Sequence, residues 1–406
     1  MKTIALIGTF DSKGEEFQYV KSLLMSMNNN VLTINTGVFE PTLKPDIDAN
    51  LIAEEVGESI EVIRAKKDRA YATEVLSRGV EKLLPRLYEE GLFDGILSFG
   101  GTGGTSLVTP GMRQIPIGVP KVMVSTVASG DTSAYVGTSD ILMMPSIVDV
   151  SGLNTISRTI FQNAAAAISG MVHAKFEKVE DDRPLIAASM FGVTTPAVDY
   201  ARKYLEENGY EVLVFHATGV GGKTMEHLIR NGYFAGVLDL TTTELADELV
   251  GGVLSAGRNR LSAASETGVP QVVSLGALDM VNFGPYETVP QKFCDRNLYR
   301  HNPTVTLMRT TNGENIELGK IIAHKLNKAH DKTVLLIPKA GVSLIDAPNN
   351  PFYGPEEDNQ LFNTLLNHLS NEKVQVIERN VNINDPAFAE ESAKLLIKLI
   401  EEDTHE

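Results

Sequence analysis

Short apolar runs alternate with amphipathic stretches along this chain, an order that predicts parallel strands joined by helices. In the first half Ile4–Ile7, Val31–Ile34, Gly95–Phe99, Lys121–Val124 and Ile141–Met144 read as strands. Phe17, Val20, Leu23 and Leu24 recur at helical spacing through about Met27, a loop rich in Pro and Asp covers 38–50, and a helical region runs from about Leu51 to Glu90 with a break near Arg64 to Arg69. An alanine-rich helix, Leu153 to about Phe176, closes the half. The second half repeats this opening order: strand Leu185–Ser189, a polar turn, helix Ala197–Asn208 ended by Gly209, strand Glu211–Phe215 and a glycine-containing loop. The repeat is one of topology, with little residue identity. A strand ending at Asp239 and strands Val272–Leu275, Thr304–Met308, Val334–Ile337 and Val374–Ile377 follow, with a last helix from about Pro386 to Ile400 and a frayed acidic tail over Glu401–Glu406. The pattern predicts an α/β protein of two Rossmann-like subdomains, each a doubly wound, mainly parallel sheet. The expected boundaries are 1–182 and 183–406, with Glu177–Arg183 as a charged link and Pro184 opening the second subdomain.

In such sheets ligands collect at the carboxyl ends of strands. The polar loops there are Gly8–Gly14, Asn35–Gly37 and Gly100–Ser106. The last has four glycines and leads into an apolar stretch that reads as a helix capped by Gly104, Thr105 or Ser106. Glycines admit close backbone approach, and a helix N-terminus presents free N–H groups and partial positive charge, so phosphate is the natural occupant. Hydroxyls of Thr102 and Thr105 add donors. The turn lacks the Gly-Lys-Ser/Thr of a P-loop and the spacing of the dinucleotide fingerprint. Lys13 would balance phosphate charge, and Asp11 would hold magnesium or a ligand hydroxyl; N-capping explains Asp11 and Ser12 equally well.

Composition narrows the partners. The chain has 406 residues, 43% hydrophobic and 22% charged, with a net charge of -16. That charge argues against non-specific nucleic-acid binding. The single cysteine, Cys294, excludes an internal disulfide and a cysteine-rich zinc site and fits a reducing cytoplasm. The N-terminal apolar run is too short for a signal-peptide core, and no run is long enough to span a membrane.

The second half offers its own polar residues. Asp239 and Glu244 flank Thr241–Thr243, where either helix capping by Thr243 or a polar pocket fits. Arg309 ends a strand, His301 precedes one, and Gly221-Gly222-Lys223-Thr224 resembles a P-loop but has Ala217 where the upstream glycine belongs, leaving a loop still able to bind an anion. Asp239, Glu244, His301 and Arg309 are the substrate-side candidates.

Gly8-Thr9-Phe10-Asp11-Ser12-Lys13, Gly100–Ser106, Ile117–Lys121, Ser125–Gly130, Met190–Pro196, Val214–Gly222, Val237–Glu244, Gly276–Gly284 and Leu307–Thr311 together, in order, resemble the ATP-binding domain family named after a plant tobamovirus-resistance protein. The resemblance implies two Rossmann-like subdomains, ATP bound in the first, and a homodimer. On matching positions the nucleotide would be held by Asp11, Ser12, Lys13, Thr36, Arg69, Gly101, Thr102, Gly103 and Gly104. The plant protein carries a further barrel domain not seen in this sequence, so its antiviral activity is not carried over. The expectation is an ATP-binding protein, with Mg accompanying the nucleotide. It is either an ATP-dependent enzyme acting on a small metabolite in the cleft between subdomains or a non-catalytic, ATP-regulated assembly module. A phosphorylated sugar or acid is a third occupant. No nucleophile or acid–base pair emerges from spacing, so no catalytic residue is named.

Overall fold

The computed structural model describes residues 1–175, 183–330 and 332–404, and the chain forms two compact units, Met1–Val179 and Glu180–Glu406. The expected boundary at 182/183 and most of the charged link fall on residues 176–182, outside the described residues.

The first unit runs β1 (Lys2–Gly8), α1 (Phe10–Ser26), β2 (Asn29–Asn35), α2 (Ala49–Glu54), α3 (Ile60–Lys66), α4 (Arg69–Glu89), β3 (Gly95–Gly100), α5 (Thr102–Met112), β4 (Lys121–Ser125), α6 (Ser133–Val136), β5 (Leu142–Pro145) and α7 (Thr155–His173). Its five strands are parallel in the order β2-β1-β3-β4-β5. Both faces of β1 are buried, as helices on both sides of a parallel sheet require. Ala5 and Ile7 pack with Ile52, Val80, Leu84 and Met112. Ile4 and Leu6, one residue out of step, face Phe10, Phe17, Phe161 and Ile168.

The second unit runs β6 (Leu185–Met190), α8 (Thr195–Glu207), β7 (Glu211–His216), α9 (Val220–Arg230), β8 (Gly236–Thr241), α10 (Glu244–Val250), α11 (Ala263–Thr267), β9 (Gln271–Gly276), β10 (Met280–Phe283), β11 (Leu298–Asn302), β12 (Val305–Arg309), α12 (Asn312–Leu326), β13 (Thr333–Pro338), α13 (Pro355–His368), β14 (Val374–Arg379) and α14 (Pro386–Thr404). Its main sheet is ordered β14-β13-β9-β8-β6-β7 and is parallel throughout. Read from the first strand of each unit, both sheets follow the flavodoxin-like order 2-1-3-4-5, the second adding one strand. The molecule is therefore two Rossmann-like α/β units, and the topological repeat is present.

Several elements differ from expectation, each for a local reason. The region from Leu51 splits into three helices because Ser59 caps α3 and Asp68 caps α4, its carboxylate accepting from the Ala70 and Tyr71 N–H groups. Helix α5 starts at Thr102, earlier than Gly104–Ser106, so those residues lie inside its first turns. Helix α7 ends at His173, and α14 continues through the acidic tail to Thr404. The antiparallel sheet β10-β12-β11 was not expected; it takes the strand ending at Arg309 out of the parallel sheet.

Candidate functional site

Strands β1 and β3 are neighbours, yet β1 feeds α1 on one face of the sheet and β3 feeds α5 on the other. This divergence opens a crevice at their carboxyl ends. A cavity of about 980 Å³ lies there. All nine residues assigned to the nucleotide line it: Asp11, Ser12, Lys13, Thr36, Arg69, Gly101, Thr102, Gly103 and Gly104.

The floor is the start of α5. Gly101 holds the cap position without a side-chain bond, and the first bond inside the helix runs from the Thr105 N–H to the Gly101 carbonyl at 3.0 Å. The N–H groups of Thr102, Gly103 and Gly104 therefore have no acceptor within the helix. Arg69, the first residue of α4, leans over them: a Cβ on Gly103 would sit 3.1 Å from its Nη2, while one on Gly104 would meet nothing within 4 Å. Thr105 is not a ligand donor. It is buried, with its hydroxyl 2.9 Å from the Gly101 carbonyl and 2.6 Å from Ser125 Oγ.

The walls come from β1 and β2. Asp11 and Ser12 do not cap α1, which begins at Phe10 behind Thr9. Asp11 Oδ2 accepts from the Phe39 N–H at 3.1 Å, and a side chain at Gly37 would run into the same carboxylate. The Ser12 hydroxyl lies 3.1 Å from Thr9 Oγ1. Lys13 has non-helical backbone angles that kink α1, and its ammonium donates to the Val150 carbonyl. Thr36 is 2% exposed, and its hydroxyl has no hydrogen-bond partner among the described residues. Such a buried orphan costs about 1–3 kcal/mol unless something meets it.

Arg64, Lys67, Asp68, Phe39 and Asp149 also line the cavity and were missed. Asp149 follows β5 at a strand's carboxyl end, the signal that selected the other loops. Lys67 ends α3 in the left-handed region at φ 51, which its type does not announce.

In the second unit a helix start at the strand ends, that of α9, is met by a side chain of the same unit. Glu244 Oε1 accepts from the N–H groups of Gly219 and Gly222 at 2.7 and 3.1 Å, so the anion at the Gly221–Thr224 loop is an internal carboxylate. Arg260, fully buried, binds Glu244 Oε2 at 2.6 Å and both oxygens of Asp239 at 2.5 and 2.7 Å, with Glu226 at 3.5 Å. Burial opposes the guanidinium's charge, but Asp239, Glu244 and Glu226 more than offset it and hold Arg260 well above its usual pKa. Burial pushes the Glu226 carboxyl up. Thr243 stands at the cap of α10 without a cap bond; its hydroxyl lies 3.5 Å from the Met280 carbonyl.

The other two substrate-side residues lie elsewhere. Arg309 Nη2 meets Asp358 Oδ1 at 2.7 Å and its Nε donates to the Phe352 carbonyl at 2.8 Å. Burial, then the neighbouring Asp346, raises Asp358 to about 8 and Asp279 to about 7. His301 is exposed on β11, its ring 6.5 Å from that of Tyr299. Asp239 and Glu244 thus meet on one guanidinium, Arg309 belongs to another cluster, and His301 joins neither. Among the described residues no three His, Cys, Asp or Glu side chains gather to hold a metal ion, and no helix is long and apolar enough to cross a membrane.

Fold and site together define a protein of two Rossmann-like units, the first with an open helix N-terminus at its switch point and the second with a carboxylate of its own on the start of α9. The chain belongs to the Uncharacterised protein family (UPF0261): the family's N-terminal domain matches residues 2–177 and its C-terminal domain residues 183–400. It is 56% identical over 401 residues to a UPF0261 protein of Clostridium tetani, covering 98% of this chain and 99% of that one. It is 42% identical to the ToMV resistance protein Tm-1(GCR237) of Solanum lycopersicum, covering 94% of this chain and 54% of the tomato protein. A solved UDP-N-acetylglucosamine 2-epimerase of Rickettsia bellii aligns at 10% identity over 67% of this chain and 78% of the other, with a TM-score of 0.22, too low to carry an argument.

Proposed function

We propose that the first unit binds ATP, its phosphates seated on the N-terminus of α5. The observation that carries this reading is the uncapped helix start with the Arg69 guanidinium over it, inside a cavity of about 980 Å³. The N–H groups of Thr102, Gly103 and Gly104 and the Thr102 hydroxyl would receive phosphate oxygens, and Arg69 and Lys13 would balance their charge. The buried hydroxyl of Thr36 fits a ligand atom that satisfies it. Asp11 would take a ribose hydroxyl or magnesium. With no carboxylate set gathered among the described residues, magnesium would arrive on the phosphates and keep most of its water. Bound there, it would neutralise phosphate charge.

The same reading takes the protein as cytoplasmic and homodimeric. Resistance to a virus, stated in the tomato relative's name, is not transferred. ATP turnover with a small metabolite would make the protein an enzyme; binding without turnover would make it an ATP-regulated module.

Calorimetric titration of ATP, ADP and AMP with magnesium, on the wild type and on Gly103→Asp, tests the reading. An acid in the first turn suits the helix dipole, so the variant should fold, while its carboxylate pairs with Arg69 and repels phosphate. Loss of about tenfold or more in ATP affinity is expected. No ATP binding by the wild type overturns the proposal.

A further inference from the structure

The second unit has a recess of its own, about 790 Å³, bounded by α10, α11, the loop 258–262 and α12. It lies against the outer helices and shares no residue with the Arg260 cluster or with the cavity of the first unit. Its floor is apolar, formed by Leu245, Leu249 and Ile321. Its rim is basic. Lys320 and His324 stand four residues apart on α12, Lys328 follows in the turn just beyond the helix, and Arg258 enters from the facing loop, its side chain 93% exposed.

The acids of the lining are engaged. Glu248 accepts from Ser255 Oγ at 2.5 Å and lies 3.7 Å from Arg258 Nε; Glu266 accepts from Arg230 Nε at 2.8 Å. Lys320 is paired with Glu317 at 2.7 Å. His324 and Lys328 make no side-chain hydrogen bond or ion pair among the described residues. Lys325 is half-buried, and its ammonium donates to the Arg258 carbonyl at 2.7 Å and to Ser262 Oγ at 3.2 Å, with no carboxylate within 4.0 Å among the described residues. Burial pulls its pKa down, and the more distant carboxylates of Glu226 and Glu266 do not restore it against Lys328 and Arg260.

A helix C-terminus favours cations in its last turn, which accounts for one or two of these groups. It does not account for Arg258, which comes from another element, nor for a half-buried ammonium with no carboxylate within 4.0 Å among the described residues. Cations spaced four apart also repel by a few tenths of a kcal/mol per pair. In a chain of net charge -16 a basic recess over an apolar floor needs an anion to complete it.

We propose that this recess binds a small organic anion, with a carboxylate or phosphate head at Lys325, Arg258, His324 and Lys328 and an apolar body on Leu245, Leu249 and Ile321. A recess of about 790 Å³ is within the range of small-molecule sites. The site is independent of the nucleotide reading, and its test uses no nucleotide.

The probe is 8-anilinonaphthalene-1-sulfonate, which joins an anionic head to apolar rings, titrated by fluorescence into the folded wild type, the double variant His324→Glu/Lys328→Glu and, separately, Arg258→Glu. Among the described residues these side chains hold no structural bond beyond the long Arg258–Glu248 contact, so melting temperatures should stay close to wild type. One saturable site is expected, weakened about tenfold or more by the double variant and by raising salt from roughly 50 to 500 mM. Octanoate or hexyl phosphate should displace the dye, and which does so more readily identifies the head group. Absence of saturable binding, equal affinity in all three proteins, or displacement by neither competitor overturns the proposal.

Discussion

The two units treat the N-terminus of a crossover helix in opposite ways. In the first, Arg69, the leading residue of α4, reaches over the bare start of α5. In the second the roles are exchanged: Glu244, the leading residue of α10, reaches back to the start of α9 and meets its N–H groups with a carboxylate. One unit presents a cation and free donors to a cavity, whereas the other supplies its own anion and locks it with Arg260. The same strand order thus supports an open crevice or a closed one, and which it is depends on a few side chains at the first turns of the crossover helices.

The comparison can be broken most severely at Arg260. Arg260→Met would leave Asp239, Glu244 and Glu226 buried without their shared counter-charge and should cost at least about 3–5 kcal/mol in urea unfolding of the second unit. Glu244→Ala should cost less, about 1–3 kcal/mol, because the α9 donors lose their acceptor. A variant as stable as wild type would show that the internal anion is dispensable.

Stability against pH sharpens the electrostatic side. Asp279 and Asp358 have folded pKa values near 7 and 8, above the ordinary carboxylate value, so the folded form keeps protons that the unfolded chain has lost. Their contribution to stability is therefore present in acid and falls as pH rises from about 4 toward about 8. Asp358→Asn should flatten that fall between pH 6 and 8 (roughly the upper part of the window) in denaturant titrations; an unchanged slope would remove Asp358 from the account.

The smallest expected effect lies at the rim of the open cavity. Lys67→Gly relieves a left-handed backbone at φ 51 and should raise unfolding stability of the first unit by about 0.5–1 kcal/mol, read as a small upward shift in Tm. A fall in Tm would mean that the lysine side chain contributes packing that outweighs its backbone strain.

What the sequence revealed follows from which interactions are local. The glycine turn at 100–104 was legible because a strand, a turn and a helix start are written side by side. The convergence of Asp11, Thr36 and Gly101 followed from the parallel order of strands, which places their ends on one rim. Arg69 was not legible from its charged surroundings and entered only through resemblance to a family. Arg260 was invisible for a sharper reason: Arg258 and Arg260 stand two residues apart in the same loop, one 93% exposed and the other fully buried, and only the long-range fold tells them apart. In the sheet β10-β12-β11, β10 pairs with β12 across more than a dozen residues and leaves no short turn signal, whereas β11 and β12 are joined by the two-residue turn Pro303-Thr304, a signal that went unread because the polar run Arg300-His301-Asn302 does not look like a strand.

The Glu244 carboxylate has one consequence that a bound solute cannot share. A tethered anion is present at a fixed, high effective concentration and forfeits no translational freedom each time it docks, so dilution and competing salts scarcely reach it. A crevice completed from solution obeys mass action instead, and its unit gains stability only as the logarithm of the occupant's concentration. On heating over a series of ligand concentrations, the closed unit should hold a constant transition while the open one moves.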